Sequence, residues 1–96
     1  MREILIDAIR NRRVLSFSYD GFHRVVEPHT FGRSTADHDV LSCFQIEGGH
    51  IRPGHEWDFC LLSKIKGLVS TGATFTGERP RYQRGDKRMI QIYAEL

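Results

Sequence analysis

Arg24 and His29 are the residues of this chain best suited to hold an anion, and both fall in the apolar stretch 14–31. A guanidinium offers a planar fork of donors that matches phosphate or carboxylate, and an imidazole adds a donor whose charge changes near neutral pH. The elements needed to place them are legible around them. Leu15, Phe17 and Tyr19 alternate with Ser16 and Ser18, the period-2 pattern of a half-buried strand. Asp20-Gly21 is a favoured two-residue hairpin turn. The returning strand carries Arg24 among Phe22, Val25 and Val26 and reaches Pro28-His29, where Pro28 cannot donate to a ladder and so suits an edge or a strand end. Tyr19, just before the turn, can set its ring on the core and its hydroxyl at the rim. A guanidinium and an imidazole at either end of an apolar strand suggest a small anion-recognising barrel, not a catalytic centre. The competing reading is that Arg24 pairs internally with Glu27 or Glu47 and binds nothing.

Other chemistry has less to build on. No Gly-x-Ser-x-Gly elbow is present, the five histidines show no base-plus-orienter spacing, and Gly48-Gly49 lacks the further glycines and lysine of a phosphate cradle. No enzyme activity and no cofactor are therefore expected. Asp37-His38-Asp39, with His29 folded back, is the best metal candidate. Neighbouring residues of an extended chain point to opposite faces, so solvated loop polarity is preferred and no metal is expected. Cys43 and Cys60 have no CxxC partner. They read as buried, reduced thiols, although a hairpin could bring them opposite each other.

The whole chain of 96 residues, 40% apolar and 27% charged, reads as one ordinary domain. No apolar run approaches the roughly 20 residues that span a bilayer, and Arg2, Glu3 and Asp7 interrupt the start, so a cytoplasmic location is expected. The net charge is +2, but residues 76–88 hold Arg79, Arg81, Arg84, Lys87 and Arg88 against Glu78 and Asp86. This basic stretch would either steer phosphate-rich partners or form a solvated, partly ordered tail.

Residues 2–12 read as a helix: Ile4, Leu5, Ala8 and Ile9 form one stripe, with acids early and arginines late. A barrel over 14–75, a basic loop over 76–88 and a docking segment over 89–96 complete the layout. In the segment 39–65 a hairpin centred between Ile51 and Arg52 is expected, across a loop holding His50, Arg52, Pro53 and His55. Phe44 would then face Phe59, Ile46 face Trp57, Leu41 face Leu62, Cys43 face Cys60 and Asp39 face Lys64. Met89, Ile92, Tyr93 and Leu96 repeat at helical spacing, which points to a short C-terminal helix. The fold class expected is mainly β: a small Sm-like or SH3-like five-stranded barrel with an N-terminal helix and a short C-terminal helix.

A short helix, an apolar strand ending in Tyr19-Asp20-Gly21, and then Arg24-Val25-Val26-Glu27-Pro28 resemble the start of a WYL domain. The resemblance continues through the 39–65 hairpin and Gly67-Leu68, covering roughly residues 3–75. Aligned on Leu41, Asp39 and Val40 stand at the first two positions of the Trp-Tyr-Leu signature. Cys60-Leu61-Leu62-Ser63-Lys64-Ile65 stands where the family has Phe-Arg-Leu-Asp-Arg-Ile, so Lys64 keeps the second basic position and Leu61 replaces the first. The resemblance implies an Sm-like barrel of the kind found in bacterial transcription regulators and thought to sense nucleic acids or nucleotide-like ligands. Carried over residue by residue, it implies a ligand site at Tyr19, Arg24, His29 and Lys64.

Thirteen residues precede the first expected strand, fewer than a three-helix DNA-reading module needs, so operator recognition by these residues is not expected. The function expected is a non-enzymatic ligand-binding module for nucleic acid or a nucleotide-like anion, acting through a regulatory protein partner. The alternative is an interaction module without a small ligand, with open sheet edges and an amphipathic helix that would allow a homodimer.

Overall fold

A computed structural model describes residues 1–49 and 54–96. Helix α1, Arg2–Arg10, has Glu3 in its first turn and Arg10 in its last, an order that complements the helix dipole. It buries Leu5, Ala8 and Ile9. At its end the Asn11 amide binds both the backbone carbonyl and the side chain of Asp7.

Six strands follow: β1 Arg13–Tyr19, β2 Phe22–Ser34, β3 Asp39–Gly48, β4 Trp57–Leu61, β5 Lys66–Thr74 and β6 Met89–Glu95. A single 3₁₀ turn, Leu62–Lys64, joins β4 to β5. Asp20 and Gly21 both take positive φ (50° and 79°), the requirement of the turn expected from their types. It locks Leu15 opposite Val26 and Tyr19 opposite Phe22. Strands run in the order β4-β3-β2-β1-β5, all antiparallel, with β6 added beside β2.

The thirteen-residue β2 is the organising strand. Its β1 partners end at Val26 and its β6 partners begin at Thr30. Pro28 therefore lies inside the strand rather than at an end. It stands where the ladder on one side passes from β1 to β6, so its missing N–H breaks no bond. On the other side Pro28 opposes Cys43 and Thr30 opposes Ser42, which makes His29 an extra, bulged residue.

Inward-facing Leu15, Phe17, Val26, Phe31, Leu41, Cys43 and Cys60 form one core with Leu5, Ala8 and Ile9 of α1. Leu5 and Ile9 are almost wholly buried, and each contributes roughly 1.5–3 kcal/mol by that burial. The second face of β2, β3 and β4 is covered by residues 75–88.

Three expectations are corrected. The sheet has six strands and stays open: β4 and β5 do not pair with each other among the described residues, so the five-stranded barrel is not closed. Residues 89–95 form a strand, not a helix. The register with β2 skips Ile90 and Tyr93, and two extra residues in seven turn a period of 2 into an apparent period near 3.6. Gly32 permits this pairing, because a Cβ there would strike the Gln91 carbonyl and Met89 Sδ.

The third correction is the β3–β4 register, offset by two from the expected one. Phe44 faces Trp57, Leu41 faces Cys60, Cys43 faces Asp58 and Val40 faces Leu61. An even offset keeps every side chain on its face, so Cys43 and Cys60 still enter the core. It also sets Asp58 beside Cys43, where its carboxylate reaches Arg24. The expected Phe44–Phe59, Leu41–Leu62, Cys43–Cys60 and Asp39–Lys64 pairs are replaced. The expected hairpin centre, and its His50, Arg52 and Pro53, lie outside the described residues.

Candidate functional site

The four residues singled out in the sequence occupy three different environments. Arg24 is 7% exposed, with Nη1 3.3 Å from Asp58 Oδ2 and its guanidinium 5.1 Å from the Tyr19 ring centre. Its Nε is buried with no hydrogen-bond partner among the described residues. The internal pair weighed against a ligand role is therefore made, with Asp58 rather than Glu27 or Glu47. Tyr19 turns its ring into the core, and its hydroxyl accepts the Leu61 N–H at 3.0 Å. That bond anchors the residue preceding the 3₁₀ turn, and so the position of Ser63 and Lys64.

His29 is fully buried on the other face. Its Nδ1 lies 2.9 Å from the Glu27 carbonyl and its Nε2 lies 3.1 Å from the Arg79 backbone N–H. A carbonyl can only accept and an N–H only donate, so the ring is neutral with its proton on Nδ1. Burial pushes its pKa below the usual histidine value. The Glu27 carbonyl bond and the Glu27 and Glu78 charges pull the other way, and Arg79 adds to the lowering. Trp57, Phe75 and Tyr82 ring it at centroid distances of 4.7, 5.8 and 5.2 Å. His29 is a latch inside the fold, held by Glu27 and Arg79 rather than by Arg24 or its partner Asp58.

Lys64 is exposed, at the end of the 3₁₀ turn, and lines a cleft of about 440 Å³ with Ser18, Asp20, Gly21, Ser63 and Lys66. Neither lysine makes a described ion pair. Two ammonium groups and two hydroxyls in one cleft can hold an oxyanion, with Asp20 the single carboxylate against it. The sequence reading named only Lys64. Lys66, Ser18 and Ser63 were missed because they come from two strands and a turn that only the β1–β5 pairing joins, with Ser18 opposite Lys66.

A second cleft, of about 590 Å³, contains Arg2, Arg33, Asp37, His38, Asp39 and Tyr93. Its charges are matched within it. Arg2 donates to Asp39 at 2.8 Å, the Tyr93 hydroxyl donates to the other Asp39 oxygen at 2.8 Å, and Arg33 pairs with Asp37. No group of three metal-ligating side chains occurs among the described residues.

The basic stretch proves to be a strap. Arg79 makes a two-pronged bond to the buried Glu27 at 2.7 and 3.0 Å. Arg81 pairs with Glu56, Arg84 with Glu95 and Arg88 with Asp86. Most of its positive charge is thus spent on carboxylates of the sheet and of the strap itself. These pairs hold the stretch in place, so it is not a loose tail.

Cys43 and Cys60 are buried free thiols. The hydrogen bond that the Cys43 S–H makes to Cys60, then burial, raise the Cys43 pKa well above the usual thiol value, so it stays protonated. No helix among the described residues is long and apolar enough to cross a membrane.

No family model matches the chain, and no match is found among the curated proteins or the solved structures.

Proposed function

We propose that this chain is a non-enzymatic ligand-binding regulatory module that recognises a nucleic acid or a phosphorylated ligand at the Lys64–Lys66 cleft and acts through a protein partner. The observation that carries this reading is the convergence of two exposed lysines without described ion pairs and two serine hydroxyls in one cleft. By contrast Arg24, the cation most prominent in the sequence, is committed to Asp58. The resemblance of residues 3–75 to WYL domains supports the same ligand class. The strand order β4-β3-β2-β1-β5, with a 3₁₀ turn between β4 and β5, supports kinship with an Sm-like or SH3-like barrel, here left open between β4 and β5.

The test is binding of a labelled single-stranded oligonucleotide at two salt concentrations. Binding should weaken steeply with salt, as phosphate contacts do, and should be lost in a Lys64→Ala/Lys66→Ala variant that keeps its melting temperature. Unchanged affinity in that variant would remove the site.

An interaction module is the second reading. The β5 edge carries no charge from Gly67 through Gly77, and Val69 is 53% exposed. Uncharged edges invite strand pairing, although Gly67 and Gly72, both at positive φ, accompany breaks in the β1–β5 register that twist this one. A mass that rises with concentration, together with no oligonucleotide binding at low salt, would favour this reading.

A further inference from the structure

Resting on the Lys64–Lys66 cleft as the phosphate site, we infer that Asp20 makes this site selective for ribose over deoxyribose by accepting a hydrogen bond from the sugar 2′-hydroxyl.

Three pieces of the chain meet at the cleft. The Asp20-Gly21 turn continues β1 past Ser18, the 3₁₀ turn brings Ser63 and Lys64, and the start of β5 sets Lys66 opposite Ser18. The Tyr19 hydroxyl, bonded to the Leu61 N–H, ties the first piece to the second. A Cβ added at Gly21 would meet nothing within 4 Å, so the turn leaves its side of the cleft open.

Asp20 is the lining group that a phosphate would not choose. Its backbone explains its size: a φ of 50° in this turn calls for Asn, Asp or Gly. The turn does not call for a charge, since Asn and Gly serve it equally well. Nor is the charge spent inside the cleft. Asp20, Lys64 and Lys66 all line it, yet the carboxylate pairs with neither lysine among the described residues. In the larger cleft, by contrast, Asp37 and Asp39 are each held by an arginine.

A carboxylate only accepts hydrogen bonds. Beside two ammonium groups that hold a phosphate, it therefore suits a part of the ligand that donates. RNA carries such a donor on every sugar, the 2′-hydroxyl, and this is the group by which a protein tells RNA from DNA. The sugar adjoins the phosphate along a strand, whereas the base projects away from it, so a carboxylate sharing the phosphate cleft meets the sugar first. Carboxylates accept from a ribose 2′-hydroxyl in the same way in dinucleotide-binding folds. On a deoxyribose strand Asp20 finds no donor on the sugar and only repels the phosphate.

The experiment is isothermal titration of the full chain with oligouridylate, oligodeoxyuridylate and the two corresponding 5′-monophosphates. Within each pair only the 2′-hydroxyl differs. The ribose member should bind about tenfold more tightly, the size of one hydrogen bond to a charged group. A preference confined to the monophosphates assigns the ribose to a free nucleotide, and one confined to the oligomers assigns it to a strand; either upholds the inference. Asp20→Gly, which suits the turn, should shift the two sugars apart: weaker binding of the ribose ligand, unchanged or tighter binding of its deoxyribose counterpart. Asp20→Asn keeps a neutral acceptor and should retain only part of the preference. An undiminished preference in Asp20→Gly, or a shift of both sugars in the same direction in the folded variant, overturns the inference. Equal affinity for the two sugars in the wild type, lost in Lys64→Ala/Lys66→Ala, overturns it too but leaves the phosphate site standing. Binding of none of the four ligands removes the site and the inference together.

Discussion

The two faces of β2 use their charged residues in opposite ways. On the inner face Arg24 is buried with Asp58 and the Tyr19 ring, in an ion pair at 3.3 Å. On the outer face His29 is kept neutral and holds a strap by one backbone N–H, with Arg79 gripping Glu27 beside it. Burial alone does not separate them, since both are under a tenth exposed. The difference lies in what each makes: Arg24 an ion pair with a carboxylate, His29 two hydrogen bonds to backbone groups. The exposed lysines that share a cleft without a described ion pair, Lys64 and Lys66, lie at neither place.

The comparison can be broken by substitution, and the inner face should be hit hardest. Arg24→Ala removes the guanidinium paired with the largely buried Asp58 carboxylate, at a cost of about 3 kcal/mol in urea unfolding. Replacing both partners, as in Arg24→Met/Asp58→Leu, should recover most of that loss. A double variant as unstable as Arg24→Ala would show that the pair is not the reason. Loss of oligonucleotide binding in Arg24→Ala without loss of stability would return Arg24 to the ligand site.

The outer face should lose less. His29→Leu keeps the apolar contacts but orphans the Arg79 N–H and the Glu27 carbonyl, for about 2 kcal/mol in the same measurement. The Trp57 fluorescence should shift in that variant and stay unchanged when Cys43 is replaced by Ala.

Acidification should separate the faces without mutation. His29 has a folded pKa below its unfolded value of about 6.5. As pH falls the unfolded chain therefore takes up the proton first. Stability from the neutral ring is complete above about pH 6.5 and is lost as pH falls towards the folded pKa, at no more than about 1.4 kcal/mol per pH unit. The wild-type melting temperature should drop between pH 7 and 5, and the His29→Leu curve should be flatter over the same window. Equal slopes would remove the latch from the account.

The smallest effect expected is that of Arg81→Ala. Its side chain is 63% exposed and lies 3.8 Å from Glu56, so solvent screens the pair and no more than about 1 kcal/mol is expected, read as a small loss of melting temperature. A loss as large as that of Arg24→Ala would mean that the strap is integral to the fold rather than latched onto it.

Patterns carried within a few residues were legible in the sequence. The α1 stripe, the Asp20-Gly21 turn, the β1–β2 register and the faces of β3 and β4 follow from periods of 3.6 and 2 and from turn types, all of them local. The short range of those periods is also why the rest was not legible. The β3–β4 register differs from the expected one by two residues, an offset that leaves alternation intact and so leaves no trace in the pattern. The bulges at Ile90 and Tyr93 disguise β6 as a helix. Arg24 and His29, five positions apart on one strand, could have been assigned to opposite faces from alternation alone, but their partners could not.

Residue types determined by themselves that this is a mainly β chain with a packed N-terminal helix, and with a guanidinium and an imidazole on its second strand. Only the tertiary structure decided which of its cations are spent. Asp58 reaches Arg24 through the β3–β4 register, Arg79 reaches His29 from 50 residues away, and Lys66 joins Lys64 and Ser18 through the β1–β5 pairing. A charge is neutralised by whatever the sheet order sets beside it, and sheet order is a long-range property of the chain.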